Sequence, residues 1–196
     1  MYTEQQFSIP KLTGLSEKTI EEHKKLYAGY VKNANLVLEK LSHYKGEESH
    51  AYETGELYRH FAFEYNGMRN HECYFKLLEG HSSLDPESAL GRAITSQWQD
   101  VNALKHDIMT LAMTRGIGWA MLSWDPISKK LILHWIDEQH LGQLQGASPV
   151  IALDMWEHSY VGDYFPSGKK QYVTDFLNQM NWRAAQELFE AAVHKD

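Results

Sequence analysis

The sequence predicts an α+β protein with an N-terminal long antiparallel helical hairpin and a C-terminal lobe in which a three-stranded antiparallel sheet is flanked by helices. In the first half, apolar residues recur every three or four positions through two long segments, as in amphipathic helices. In the second half, short aromatic and β-branched segments alternate with turn signals, as in strands. The polar connection at residues 81–88 predicts a boundary between an α-hairpin domain at 1–82 and an α/β domain at 83–196.

The composition narrows the class of protein. A hydrophobic fraction of 43% over 196 residues predicts a folded chain with a sizeable core, and a net charge of −7 disfavours a nucleic-acid partner. Cys73 is the single cysteine and cannot form an intramolecular disulfide, which favours a reducing compartment. Residues 1–10 do not resemble a signal peptide, and no apolar stretch is long enough for a membrane span. We therefore expect a cytoplasmic protein without a membrane partner.

The first long helix is predicted to follow an extended arm at residues 1–15. Ser16 is a suitable N-cap because its hydroxyl can accept a hydrogen bond from the first turn. The periodic pattern then continues to about Tyr44. Its members are Ile20, His23, Tyr27, Tyr30, Ala34, Val37 and Leu41.

The second long helix is predicted after a polar connection at residues 46–55, with Gly80 suited to its C-terminal end. Its apolar stripe consists of Leu57, Phe61, Tyr65, Met68, Phe75 and Leu78. Two long helices joined by a short connection are expected to pack as an antiparallel hairpin.

The second half contains the predicted strands and the shorter helices. Helices are expected over residues 87–92 and 96–114, and the pattern becomes helical again after Trp156, ending with a segment at 181–192. The predicted strands cover residues 116–125, 130–137 and 149–156, with a hairpin turn at 125–130 between the first two.

Four polar residues stand where apolar ones are expected. His23 and His71 interrupt the apolar stripes of the two long helices, and Asp154 ends the hydrophobic run of the last strand, four residues before His158. Taken singly, the histidines can be core residues bonded to carbonyls, and the aspartate can cap the next helix. Together, three imidazoles and one carboxylate form a ligand set for iron, manganese or zinc, because buried polar groups need partners.

Several segments resemble the iron/manganese superoxide dismutase family. Residues 154–160, DMWEHSY, resemble its D-x-W-E-H-x-Y signature, and residues 66–71, NGMRNH, resemble its second-helix motif ending in Asn-His. Residues 30–33, 116–119 and 181–182 resemble further landmarks, so the similarity runs in order from about residue 7 to 192.

The resemblance implies the activity, the cofactor and the assembly of the chain. A superoxide dismutase converts superoxide to oxygen and hydrogen peroxide with one manganese or iron ion per chain. The expected metal ligands are His23, His71, Asp154 and His158. A homodimer or a dimer of dimers is expected, with Glu157 at the interface, where it orients a ligand of the partner.

The first ligand departs from the family spacing. In the family it lies one residue further from the tyrosine than His23 lies from Tyr30, and Glu22 occupies that position here. The seven-residue separation of His23 and Tyr30 is nearly two regular helical turns, so the two residues share a face. A one-residue deletion that removes a helical bulge favours His23 as the ligand, with Glu22 as the alternative.

The resemblance also assigns residues around the ligands. Tyr30 is expected at the mouth of the site, where it relays protons, and Trp119 and Trp156 are expected as aromatic walls. Gln139 resembles the strand-borne glutamine that hydrogen-bonds the metal-bound solvent, and the adjacent His140 is the alternative.

A glutamine on the second helix, which other family members use in this role, is replaced by Gly67. That combination is more usual of the manganese-type branch.

Two other functions remain open at the sequence level. A non-catalytic protein with the dismutase fold and a structural or assembly role would explain the shift at His23. A hydrolytic zinc site would need a general base beside the metal, for which only Glu22 and Glu157 are available.

Overall fold

The two long N-terminal helices precede a sheet that is covered by shorter helices, in a computed structural model that describes residues 1–194. The α+β class and the three-stranded antiparallel sheet are confirmed. The helices are α1 (Glu17–His43), α2 (Ala51–Leu77), α3 (Ala89–Trp98), α4 (Val101–Ala112), α5 (Val161–Tyr164), α6 (Lys169–Gln179) and α7 (Trp182–Val193). The strands are β1 (Gly118–Asp125), β2 (Lys130–Asp137) and β3 (Ser148–Asp154).

The helical hairpin is close to its prediction but has one wrong boundary. Ser16 caps α1 by accepting a hydrogen bond from the backbone N–H of Thr19 at 3.2 Å. The segment at 46–55, predicted as a connection, is already helical from Ala51, after a short 3-10 turn at Glu48–His50. This tip of the hairpin is largely exposed, so it shows no apolar stripe from which a helix could be predicted.

The boundary between α3 and α4 also differs from the prediction. The break lies at Gln99, which has a left-handed φ of 67°, rather than between residues 92 and 96. Asp100 then begins α4, because its carboxylate accepts hydrogen bonds from the N–H groups of Asn102 at 2.8 Å and Ala103 at 2.9 Å.

The sheet has the order β2-β1-β3, so β3 is an edge strand beside the central β1. Trp119 of β1 lies opposite Asp154 at the end of β3. The N–H of Met155 donates to the carbonyl of Gly118 at 2.9 Å, which makes Trp119 and Asp154 a non-hydrogen-bonded pair. The peptide carbonyl of Asp154 therefore points away from β1, out of the edge of the sheet.

The core is continuous across the two halves of the chain. Apolar residues of α1 and α2 pack in one cluster with residues of the sheet and of α6 and α7. The division at residues 82 and 83 stays a prediction, and the last two residues of its second part lie outside the described residues. Within residues 1–194, no helix has the length and apolar character required to cross a membrane.

Candidate metal centre

Four side chains from distant parts of the chain meet where the hairpin packs on the end of β3. His23 comes from α1, His71 from α2 and Asp154 from the end of β3, while His158 lies in the 3-10 turn Glu157–Ser159 that follows. One nitrogen or oxygen atom of each lies within 4.8 Å of those of the others. His23, His71 and Asp154 are buried, and the side chain of His158 is 24% exposed. One ion can be reached by all four at this spacing.

One carboxylate oxygen faces all three imidazoles. Asp154 Oδ2 lies 3.0 Å from Nε2 of His23, 3.2 Å from Nε2 of His158 and 3.7 Å from Nε2 of His71. The other oxygen, Oδ1, accepts a hydrogen bond from the backbone N–H of Trp156 at 2.8 Å. This bond orients the carboxylate, so that Oδ2 is the oxygen available to a cation.

The protonation of His71 follows from its second nitrogen. Nδ1 lies 2.6 Å from the carbonyl oxygen of Gly67, and since a carbonyl only accepts, Nδ1 must carry the proton. Burial lowers the pKa of His71 to about 3, so its ring is neutral. Nε2 therefore presents a lone pair, and this buried atom has no hydrogen-bond partner among the described residues. An unpartnered lone pair beside a carboxylate suits a metal ligand, because burial without a partner is costly.

The charges of the other clustered residues also suit a cation. Burial lowers the pKa of His23, which favours its neutral, ligating form. Burial acts to raise the pKa of Asp154, but the attraction and hydrogen bond of His158, together with those of His23, hold this pKa well below its ordinary value. Three imidazoles and one ionised carboxylate thus fit a transition-metal ion in donor type and in number.

Aromatic rings surround the four residues. The ring of Trp119 lies 5.0 Å from that of His71 at 80°, and the ring of Tyr30 lies 5.1 Å from it on another side. Trp156 stacks on the ring of His158 at 5.8 Å and 24°. These rings provide the apolar surroundings that restrict the access of water to a metal site.

Comparison with known proteins decides the family. The model of the C-terminal domain of iron/manganese superoxide dismutases matches residues 86–188. A relative named iron superoxide dismutase, from Cupriavidus metallidurans, is 35% identical over 186 residues, which are 93% of this chain and 92% of the relative. The chain belongs to the iron/manganese superoxide dismutase family.

Relatives within this family carry the names of both metals. An iron superoxide dismutase of Aquifex pyrophilus is 31% identical over 188 residues, 93% of this chain and 87% of the relative. A manganese superoxide dismutase of Thermus thermophilus is 31% identical over 191 residues, 91% of this chain and 90% of the relative. Similarity at this level does not favour one metal.

For this member of the iron/manganese superoxide dismutases, the structure places the two candidates for the first ligand differently. α1 is α-helical over its whole length, without a π-bulge. His23 is buried in the cluster, whereas Glu22 is exposed and forms an ion pair with Lys25 at 2.7 Å. In this dismutase-family chain, Glu22 is thus not placed to bind a metal.

Gln139 is completely buried and both ends of its amide are engaged. Oε1 accepts a hydrogen bond from Nε1 of Trp119 at 3.0 Å, and Nε2 donates to the hydroxyl of Tyr30 at 3.0 Å. Asn70 also holds the backbone carbonyl of Gln139 at 3.1 Å. The alternative, His140, packs edge-on against Phe63 at 5.8 Å and makes no hydrogen bond to the four clustered residues in the described part of the chain.

One predicted residue lies outside the cluster, and two residues that contact the cluster were not predicted. Glu157 is exposed and does not contact the clustered residues of its own chain through any hydrogen bond seen within residues 1–194. Sequence reasoning missed Tyr172, whose hydroxyl donates to the backbone carbonyl of Asp154 at 2.9 Å. It also missed Ser159, whose hydroxyl lies 3.0 Å from that carbonyl and 2.7 Å from the carbonyl of Trp156. A hydrogen bond to a backbone carbonyl does not depend on the side chain of the accepting residue, so the sequence pattern does not reveal it. The one available signal in the sequence was that Ser159 lies next to His158.

Proposed function

We propose that this chain is a superoxide dismutase that holds one manganese or iron ion with His23, His71, Asp154 and His158. The observation that carries the proposal is the unpartnered Nε2 of His71, buried beside a carboxylate oxygen on which two further imidazoles converge. Membership in the iron/manganese superoxide dismutase family supports the same conclusion.

The ion, when bound, supplies the one-electron exchange by which two superoxide anions become one molecule of oxygen and one of hydrogen peroxide, with the uptake of two protons. Manganese and iron are the metals in the names of the relatives, and the nitrogen-rich ligand set accepts either.

Gln139 and Tyr30 are proposed to take part in delivering the protons that the reaction consumes. The hydrogen bonds to Trp119 and Tyr30 leave Gln139 one amide proton, which is free for a bound solvent molecule or anion. Burial raises the pKa of Tyr30, and the charge of Asp154 raises it further, so its hydroxyl stays protonated and can pass a proton on. The role of Tyr30 is therefore to relay protons next to the ligand His71.

The substrate is proposed to enter past Tyr30, which is partly exposed and whose ring lies 5.1 Å from that of the buried His71. His158 is the partly exposed member of the four, whereas the other three are 0–1% exposed, and its exposed side is the one proposed to face a partner subunit. Trp156 stacks on the ring of His158, and Trp119 lies edge-on against the ring of His71. The tryptophans would thus limit access to small molecules such as superoxide and protons.

Neither rival function is favoured by the geometry. A hydrolytic zinc site needs a general base, but Glu22 is exposed and paired with Lys25, and Glu157 is exposed. A purely structural role would not require a neutral imidazole with a free lone pair in the core, because such an atom destabilises the fold unless it binds something.

The assembly is proposed to be a homodimer or a dimer of dimers with Glu157 at the interface, in the cytoplasm. The exposure of Glu157 and the partial exposure of His158 in the single chain support a further carboxylate contact from a partner. Light scattering should give at least twice the chain mass, and Glu157→Ala should shift the protein toward monomers. A wild-type monomer would contradict this assembly.

The activity is tested by the rate of superoxide decay after pulse radiolysis, with protein loaded separately with manganese and iron. We expect catalytic decay with at least one metal, and loss of both metal and activity in His71→Ala. His106→Ala is the matched control, because His106 is an exposed histidine of α4. Full activity of purified His71→Ala, or no activity of the metal-loaded wild type, would contradict the proposal.

A further inference from the structure

The carbonyl of Asp154 lies beside two side-chain hydroxyls that take no part in the proposed ligand set. It points out of the edge of the sheet, where no strand within residues 1–194 can donate to it. Tyr172 of α6 donates to it at 2.9 Å. Ser159 Oγ lies 3.0 Å away but is closer to the carbonyl of Trp156, at 2.7 Å, so its single proton is not directed at Asp154 alone. Tyr172 therefore holds the backbone of this proposed ligand from outside the sheet.

A second tyrosine supports the first. The hydroxyl of Tyr74 lies 3.3 Å from that of Tyr172. Since the single proton of Tyr172 is directed at Asp154, Tyr74 is the donor in this pair, and the chain of bonds runs from Tyr74 to Tyr172 to the carbonyl. Both tyrosines are completely buried, so neither hydroxyl can exchange its partner for water without disturbing the core.

The rings of both tyrosines are held by neighbouring aromatic rings. Tyr172 stacks on Tyr160 at 5.2 Å and 20°, and Tyr74 stacks on Phe176 at 5.6 Å and 10°. The ring of Tyr74 also lies 5.0 Å from that of the proposed ligand His23. The hydroxyl of Tyr172 is thus presented by a rigid group rather than by a mobile surface side chain.

We propose that Tyr172, supported by Tyr74, is a positioning residue that holds the peptide of Asp154 so that its carboxylate faces the three imidazoles. The proposal rests on the proposed function, because it assumes that the four residues bind a metal. Only one methylene group joins the carboxylate to the Cα of this residue, so a rotation of the held peptide would move Oδ2 away from the imidazoles. A merely space-filling role would need the rings but not the hydroxyls.

The test uses tyrosine-to-phenylalanine variants, which remove one oxygen and keep the ring. Each purified protein is loaded with Mn²⁺ alone, its rate of metal release to EDTA is measured, and the Mn²⁺ electron paramagnetic resonance spectrum is recorded. Tyr172→Phe should release the metal about 10–100-fold faster, the usual effect of removing an outer partner of a ligand, and should alter the spectrum. Tyr160→Phe is the control, because within residues 1–194 its hydroxyl makes no hydrogen bond to Asp154.

A double variant distinguishes a chain of hydrogen bonds from two independent effects. Tyr74→Phe should speed release less than Tyr172→Phe, and the double variant should behave like Tyr172→Phe alone, because Tyr74 acts through Tyr172. Wild-type release and spectrum in Tyr172→Phe, an equal effect in Tyr160→Phe, or additive effects of the two substitutions would overturn the proposal. Should Tyr172→Phe not fold, wild-type behaviour of Tyr74→Phe overturns it.

The same measurements separate this proposal from the function on which it rests. If the wild type retains Mn²⁺ and Tyr172→Phe retains it equally well, only the positioning role fails. If the wild type retains neither Mn²⁺ nor Fe²⁺, the proposed function fails, and the positioning role fails with it.

Discussion

The ring of Tyr30 on α1 packs against Gly67 of α2, so a methyl group at this glycine should be destabilising. A Cβ at this position would lie 2.5 Å from Cδ1 and 2.7 Å from Cε1 of Tyr30. Gly67→Ala should gain about 1 kcal/mol of helix propensity. Overpacking should cost about 1–3 kcal/mol. Displacement of the Tyr30 ring should also lose about 0.5–1.5 kcal/mol through its hydrogen bond with Gln139. The expected net loss is about 2 kcal/mol.

The assay is urea unfolding of the metal-free protein, with Gly55→Ala as the matched control in the same helix. Gly55 is exposed, and within the described part of the chain no atom outside its own stretch of helix lies within 4 Å of an added Cβ, so this variant should be stabilised. The gain should be up to about 1 kcal/mol. In a Tyr30→Ala background, Gly67→Ala should also become stabilising, because the clash is gone. Equal stabilisation by Gly67→Ala and Gly55→Ala in the wild-type background would refute the reasoning.

Four further predictions test the buried side chains of the core and one corrected boundary. Trp119→Phe leaves the buried Oε1 of Gln139 without its hydrogen bond, so the free energy of unfolding of the metal-free protein in urea should fall by about 1–3 kcal/mol. A smaller loss would argue against that bond. Burial raises the pKa of Cys73 to about 12, so folding favours the neutral thiol and stability should fall as the pH rises above about 8.5, where the unfolded thiol ionises. At pH 8, Cys73 should react with a disulfide reagent only after unfolding, and rapid reaction of the native protein would contradict its burial. Asp100→Ala should lose about 1 kcal/mol of unfolding free energy through the N-cap of α4, whereas an unchanged value would speak against this helix start.

The fold was largely predictable because local signals and burial agree in most elements. The cap at Ser16 and the apolar stripe of α1 both follow from the sequence. The start of α2 was not predictable from periodicity, because the exposed tip of the hairpin has no buried face. The break between α3 and α4 could have been predicted from Asp100, a good N-cap residue in a polar run, but the apolar spacing alone placed it too early.

The cluster of four side chains was predictable from the sequence, whereas the hydrogen bonds that support it were less so. His23 and Asp154 are 131 residues apart in sequence, yet each is a polar residue inside an apolar pattern, which is a local signal. Tyr74 and Tyr172 lie among the buried apolar residues of their helices. Their hydroxyls bond to each other, and that of Tyr172 also bonds to the backbone carbonyl of Asp154. Nothing in the side-chain pattern distinguishes them from tyrosines that only fill the core.

The central claim is that four side chains from three regions of the fold hold one redox-active metal ion. Elemental analysis of the purified protein, expressed with both manganese and iron available, tests it most directly. The account predicts close to one manganese or iron ion per chain in the wild type and almost none in His71→Ala. Zinc as the bound metal, no bound metal, or equal metal content in the two proteins would contradict it.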